Sequence, residues 1–165
     1  MQRARTALNE YRSNPKTVGA LWEAVSRDIV DNVGSTRASV WQMNVLQDAI
    51  TCLTLFDKRT DSVLSGIVLK EDDFPPYFDA IKRDMKVIAD DAATHPATSC
   101  FDEVYFVPND IRSLLDFVIM DGSTPIAVLC CENCGSVRSW TDADIGYLQS
   151  MAALVRIAFK AARSG

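Results

Sequence analysis

Two hydrophobic periods divide this chain. Near its end Ile145, Leu148, Ala152, Val155, Phe159 and Ala162 recur at spacings of three and four, which makes one helical stripe. Tyr147, Met151, Leu154, Ala158 and Ala161 form a second stripe beside it, leaving a narrow polar side of Gln149, Arg156, Lys160 and Arg163. A helix resting on one core needs an apolar arc of about 100°. This helix is apolar over more than that, so it has surface for its own sheet and for a second partner. Thr141 stands at the N-cap, with Asp142 and Asp144 in the first turn, where carboxylates suit the positive end of the helix dipole. The helical period also appears early. Residues 1–13 read as a helical lead-in. Asn14 then caps a new start with Pro15 at the first helical position. Val18, Leu21, Trp22, Val25, Ile29 and Val33 give that helix an apolar face, and Gly34-Ser35-Thr36 ends it.

Between these helices the period shortens. Residues 37–45, 49–57 and 63–69 are rich in strand formers, with a turn at 58–61 and Gly66 inside the third run. Strands joined by such short turns pair antiparallel. Phe74-Pro75-Pro76 opens a short amphipathic helix to residue 84, with Phe78 and Ile81 inward, and 86–89 is a short strand. Residues 90–112 mix signals and read as a loop holding one short helix over 98–106. Residues 113–120 and 125–132 form a hairpin about Asp121-Gly122, a strong turn signal.

Composition narrows the classes. The chain has 165 residues, about one domain's worth, and is 48% hydrophobic, enough for a packed core. A net charge of -5 with no basic block argues against a nucleic-acid partner. No apolar run approaches the roughly 18 residues of a membrane span, and the N-terminus lacks the apolar region of a signal peptide. Five scattered cysteines read as reduced thiols of a cytoplasmic protein. Cys131-x-x-Cys134 is half of a zinc pattern without a second half, and His95 is the single histidine, in a loop. No metal site is expected. Adjacent Cys130 and Cys131 should point to opposite faces of their strand.

The order helix, helix, three strands, helix and irregular lid, strand hairpin, long helix resembles the GAF domain of bacterial signalling proteins. The residues that carry the likeness are Arg37-Ala38-Ser39-Val40-Trp41 in the first strand and Pro76-Tyr77-Phe78 through Ile88, Asp91-Ala92, Pro96 and Thr98 in the lid. Ile111-x-Ser113-x-Leu115-Asp116, Leu129-x-x-Glu132 and Arg138-x-Trp140-Thr141-x-x-Asp144 complete it. The resemblance implies an α+β, GAF-like (PAS-related) fold. A central antiparallel sheet of about six strands would carry the N- and C-terminal helices on one face and short helices and lid loops on the other. It implies one domain over 1–165, with a lead-in over 1–16 and the core over 17–162.

It also implies a sensory or regulatory module. An unidentified small molecule would bind between sheet and lid, and a signal would pass through the terminal helices of a homodimer to an output domain outside this chain. A ligand-free dimerisation module is the alternative, and an enzyme reducing free methionine sulfoxide is a further one. The expected pocket draws Ser39, Trp41 and Met43 from the first strand, Thr54 and Phe56 from the second, and Phe78, Phe101 and Tyr105 from the lid. Ser113, Leu115 and Phe117, with Cys130 and Glu132, come from the hairpin. Glu132 is the sharpest of these, because a carboxylate there must be solvated, paired or bound to a ligand, and it would suit an amine or other donor. No catalytic residue, metal or cofactor is expected. Cys100 is followed by Phe101 where the bilin-binding branch has Cys-His. The cyclic-nucleotide motif is absent, and so is the cysteine setting of the methionine sulfoxide reductases.

Overall fold

A computed structural model describes residues 1–163; the side chains of 162 and 163, and with them the stripe position Ala162 and the polar-side position Arg163, lie outside the described residues. The first helix, α1 (Gln2–Ser13), stops at Asn14, whose side chain accepts the Lys16 N–H at 3.2 Å. The Asn14-Pro15 signal starts a single 3₁₀ turn, Pro15–Thr17, and the regular helix α2 (Val18–Val33) follows it. Gly34, at φ +73°, ends α2 and gives its N–H to Val30; that backbone is left-handed, where glycine carries no steric penalty.

Strands β1 (Arg37–Met43) and β2 (Ala49–Asp57) follow as expected. The third run does not make one strand. Gly66, at φ +85°, breaks it into β3 (Ser62–Leu64) and β4 (Val68–Lys70), both paired with β2. Next come α3 (Pro75–Asp84) and β5 (Lys86–Ala89). The segment expected as one short helix is a patchwork: a 3₁₀ turn Ser99–Phe101, a π turn Asp102–Phe106 and one α turn, α4 (Val107–Asn109). The hairpin β6 (Ile111–Asp121) and β7 (Thr124–Cys134) turns at Gly122, and α5 (Asp142–Arg163) closes the chain. The sheet has seven strands in the order β3-β2-β1-β7-β6-β5, with β4 beside β2, and every pairing is antiparallel.

The sheet separates two cores. On one face α1, α2 and α5 bury Leu21, Val25, Ile29, Leu148, Val155 and Ala158 against strand residues such as Val40, Leu129 and Cys131. On the other, α3 and the lid segment bury Phe78, Ile81 and Phe106 against Trp41, Ile50 and Val128. Cys130 and Cys131 do diverge, one into each core. Thr141 and Asp144 cap α5 reciprocally: Asp144 N–H donates to Thr141 Oγ1 at 3.2 Å and Thr141 N–H to Asp144 Oδ2 at 2.9 Å. Just before this cap Trp140 is buried, its indole N–H reaching the Ala89 carbonyl and its own backbone N–H reaching Asp90 Oδ1 at 3.0 Å.

The second stripe of α5 is not bare. Met151 and Leu154 are buried with Ala4, Ala7, Leu8 and Tyr11 of α1, which packs on α2 and α5 of the same chain. Asp28 of α2 holds α1 there, accepting the Ala4 N–H at 3.0 Å and the Arg3 guanidinium at 3.2 Å. The apolar surface from which a homodimer is expected is therefore covered within the chain.

Candidate ligand pocket between sheet and lid

The pocket is built from strand parity. β1 turns Arg37, Ser39, Trp41 and Met43 to the lid, and β7 turns Val128, Cys130 and Glu132 the same way, as the register Arg37↔Glu132, Ser39↔Cys130 and Trp41↔Val128 requires. On β2 the parity changes. Trp41 pairs with Cys52 but Val40 with Thr54, so Leu53 is an extra residue, a bulge. A one-residue slip sends every following side chain to the opposite face. Ile50 and Cys52 face the lid, whereas Thr54 stands opposite Val40, and Phe56 packs among the terminal helices under the Arg27 guanidinium at 4.1 Å.

The hairpin corrects the expectation again. Asp116 pairs with Cys130 and Leu114 with Glu132, so the even residues of β6 face the lid. Leu115 and Phe117 lie on the terminal-helix side. Ser113 is a strut, its hydroxyl donating to the Asp90 carbonyl at 2.6 Å and accepting the Arg138 N–H at 2.8 Å. Of the residues expected from the sequence, the structure brings Trp41, Phe101, Tyr105, Cys130 and Glu132 to one cavity. Met43 and Phe78 are buried in the adjoining core, and Ser39 accepts the Trp41 indole N–H at 2.7 Å. Thr54, Phe56, Ser113, Leu115 and Phe117 are not on it. The sequence reading missed Ile50, Leu69, Tyr77, Phe106, Leu114 and above all Asp116. A carboxylate inside the run Leu114-Leu115-Asp116-Phe117-Val118 was the available signal.

The cavity is about 20 Å³, room for roughly one water molecule. Clefts of about 690 and 600 Å³ also exist, but they are surface grooves along α1 and α2 and beside β5, away from these buried groups. Aromatic side chains close the small cavity: Phe101 lies 4.3 Å from Phe74 and 5.0 Å from Tyr77 between ring centres.

Its electrostatics are unusual for so apolar a shell. Arg37 and Glu132 are both buried, with Arg37 Nε 3.0 Å from Glu132 Oε2, although neither atom is in a hydrogen bond. Arg37 also donates to the Tyr105 hydroxyl at 3.1 Å. Burial raises the Glu132 carboxyl above its ordinary value, against the pull of Arg37 and Tyr105. Among the described residues no cation pairs with Asp116. Its Oδ2 accepts the Tyr77 hydroxyl and its Oδ1 has no hydrogen-bond partner among the described residues. Burial pushes its carboxyl up to about 7, against the Cys130 thiol and the Tyr77 hydroxyl, which pull it down.

A chain of charges leads out of the pocket. Arg37 lies 3.9 Å from Asp57, Asp57 pairs with Arg59 at 2.7 Å, and Arg59 donates to the Asn109 carbonyl at the end of the lid at 3.1 Å. Across the same turn Asp61 pairs with Arg27 of α2 at 2.9 Å.

The family model for the GAF domain matches residues 18–159. The chain belongs to the GAF domain family. Solved structures agree on the fold of this GAF domain. The GAF domain of an Acinetobacter phosphoenolpyruvate-protein phosphotransferase superposes with a TM-score of 0.71 at 12% identity, over 99% of this chain and 94% of that one. The phycocyanobilin-bound GAF domain of a cyanobacterial phytochrome gives 0.72 at 14% identity, over 94% and 93%. The free methionine-R-sulfoxide reductase of Neisseria meningitidis, in complex with its substrate, gives 0.70 at 15% identity, over 98% and 90%. A sequence comparison with curated proteins gives no match. GAF domains are generally sensory or regulatory. Among the described residues no cluster of three or more His, Cys, Asp or Glu could hold a metal, and no helix is long and apolar enough to cross a membrane. His95, half-buried, closes a turn by accepting the Ala97 N–H on Nδ1 at 3.1 Å.

Proposed function

We propose that this GAF domain is a cytoplasmic sensor that captures a small molecule between sheet and lid and relays its presence to an output domain outside this chain. The observation that carries the reading is a pair of buried carboxyls on one aromatic cavity, each with an oxygen in no hydrogen bond: Asp116 Oδ1, and Glu132 Oε2, which is met only by its ion pair with Arg37. Each such group is costly in an apolar core. A domain that only dimerises gains nothing from them, whereas a ligand satisfies them. A cavity of about 20 Å³ is too small for a metabolite, so capture requires the lid to open. The broken lid, with its 3₁₀ and π turns, suits that motion, since such turns recur at functional hinges.

The charge chain supports the relay. It joins the pocket carboxylate Glu132 to the lid end through Arg37, Asp57 and Arg59, and the same turn meets α2 through Asp61 and Arg27. Pairing of two copies through the terminal helices would use their outer faces, where Ile157 is exposed, and not Met151 and Leu154. Catalysis is not part of the proposal. Cys100 is the one candidate nucleophile, and burial raises its thiol above the ordinary value, away from the thiolate a nucleophile needs. Native mass spectrometry of freshly purified protein tests the reading. A stoichiometric small molecule, lost in a Trp41→Ala, Glu132→Gln double variant that remains folded, is the expected result. A ligand-free protein that no metabolite stabilises would favour the second reading, a ligand-free relay module with its cavity filled by side chains.

A further inference from the structure

The two buried carboxylates of the pocket are not equivalent. Glu132 faces Arg37 at 3.0 Å, so its charge is balanced within the protein. Among the described residues Asp116, 1% exposed, has no cation facing it from the elements packed around it. α3 presents Tyr77, and β7 presents Cys130 and the distal Glu132. The lid presents Tyr105, which is engaged by Arg37 of β1, and β5 presents Val87. Tyr77 is a donor to Asp116 Oδ2, and Oδ1 is left over, on the wall of a cavity whose other walls are Trp41, Phe101, Tyr105 and Phe106. Aromatic faces attract a cation and do nothing for an anion.

We propose that Asp116 determines the ligand class: it receives the ammonium group of a small primary or secondary amine, and binding displaces its proton to bulk water. The proposal rests on the pocket reading above and adds the chemistry. Burial holds the empty site's carboxyl to about 7, so below neutral pH it is protonated. An ammonium ion then enters, Asp116 gives its proton to water, and a carboxylate–ammonium pair remains. Total charge is conserved, with one proton released per ligand. A neutral amide could also bond to Oδ1 but would release none, and an anion would meet a second buried acid. Occupancy therefore falls as the medium acidifies.

Isothermal titration of the intact protein tests this. The probes are primary ammonium compounds from methylammonium to 2-phenylethylammonium, each compared with its matching alcohol. The expected result is binding of at least one ammonium compound and not of its alcohol. Its affinity should weaken about tenfold for each pH unit below 7. At pH about 6 the heat should also differ between phosphate and MES buffers by close to one proton's ionisation, a readout on wild type alone. Asp116→Asn should abolish both the pH dependence and the proton, and Glu132→Gln should retain the proton. Equal binding of alcohol and amine, or pH-independent binding with no buffer effect, would overturn the proposal. A neutral or anionic co-purified ligand would also overturn it while leaving the sensory reading intact. A protein that binds neither the amines nor any co-purified compound would remove both.

Discussion

Asp116→Asn should remove a loss of stability that the wild type suffers as pH rises. The folded protein holds this carboxyl to about 7, and the ordinary value, taken for the unfolded chain, is 3.8. Between those values the folded state keeps a proton that the unfolded chain has lost. Stability must then fall as pH rises through that window, and level off above it. The window spans about three pH units at roughly 1.4 kcal/mol each, so the full effect is on the order of 4 kcal/mol. Asparagine has the same shape and can still accept the Tyr77 hydroxyl, but it carries no charge to bury. Urea unfolding followed by tryptophan fluorescence, from about pH 4.5 to about pH 8, gives both stabilities, and the other carboxylates cancel in their difference. The difference should shift toward the variant by about 1 kcal/mol per pH unit up to neutrality and then hold constant. A difference that is flat with pH, or that shifts toward wild type as pH rises, would refute a buried, uncompensated Asp116.

Three further outcomes are expected. Trp140→Ala removes a buried ring, its indole hydrogen bond and the surface under Arg138, whose guanidinium lies 4.6 Å from the ring centre; it should cost about 3–5 kcal/mol in a denaturant melt, and an unchanged melting temperature would contradict the packing. Asp28→Ala should loosen α1, seen as faster amide exchange over residues 2–13 and, by light scattering, association through the uncovered Met151 and Leu154; exchange as slow as in wild type would show that Asp28 does not hold the helix. Cys100 should label slowly at neutral pH, and free methionine sulfoxide should not be turned over with a thiol reductant; turnover abolished by Cys100→Ser would establish an enzyme.

Much of the architecture is local and was readable in the chain. The three-and-four spacing from Ile145 to Phe159, the Thr141–Asp144 cap, the Asp121-Gly122 turn and the alternation of β1 each depend on residues within a few positions of one another. The order of those pieces was enough for the family and for the two-faced sheet. The phase of a strand is not local. Alternation says that Leu115 and Asp116 face opposite ways, but the register Asp116↔Cys130 decides which of them meets the lid. A bulge at Leu53 likewise turned Thr54 and Phe56 away, with no mark in the sequence. Whether α5's second stripe meets another copy or its own α1 was equally open, because hydrophobic burial is non-directional and either partner removes the same surface from water. Only the folded chain set Asp116 in an aromatic cavity with one oxygen unpartnered, since its burial comes from α3, β7 and the lid, all outside its own strand.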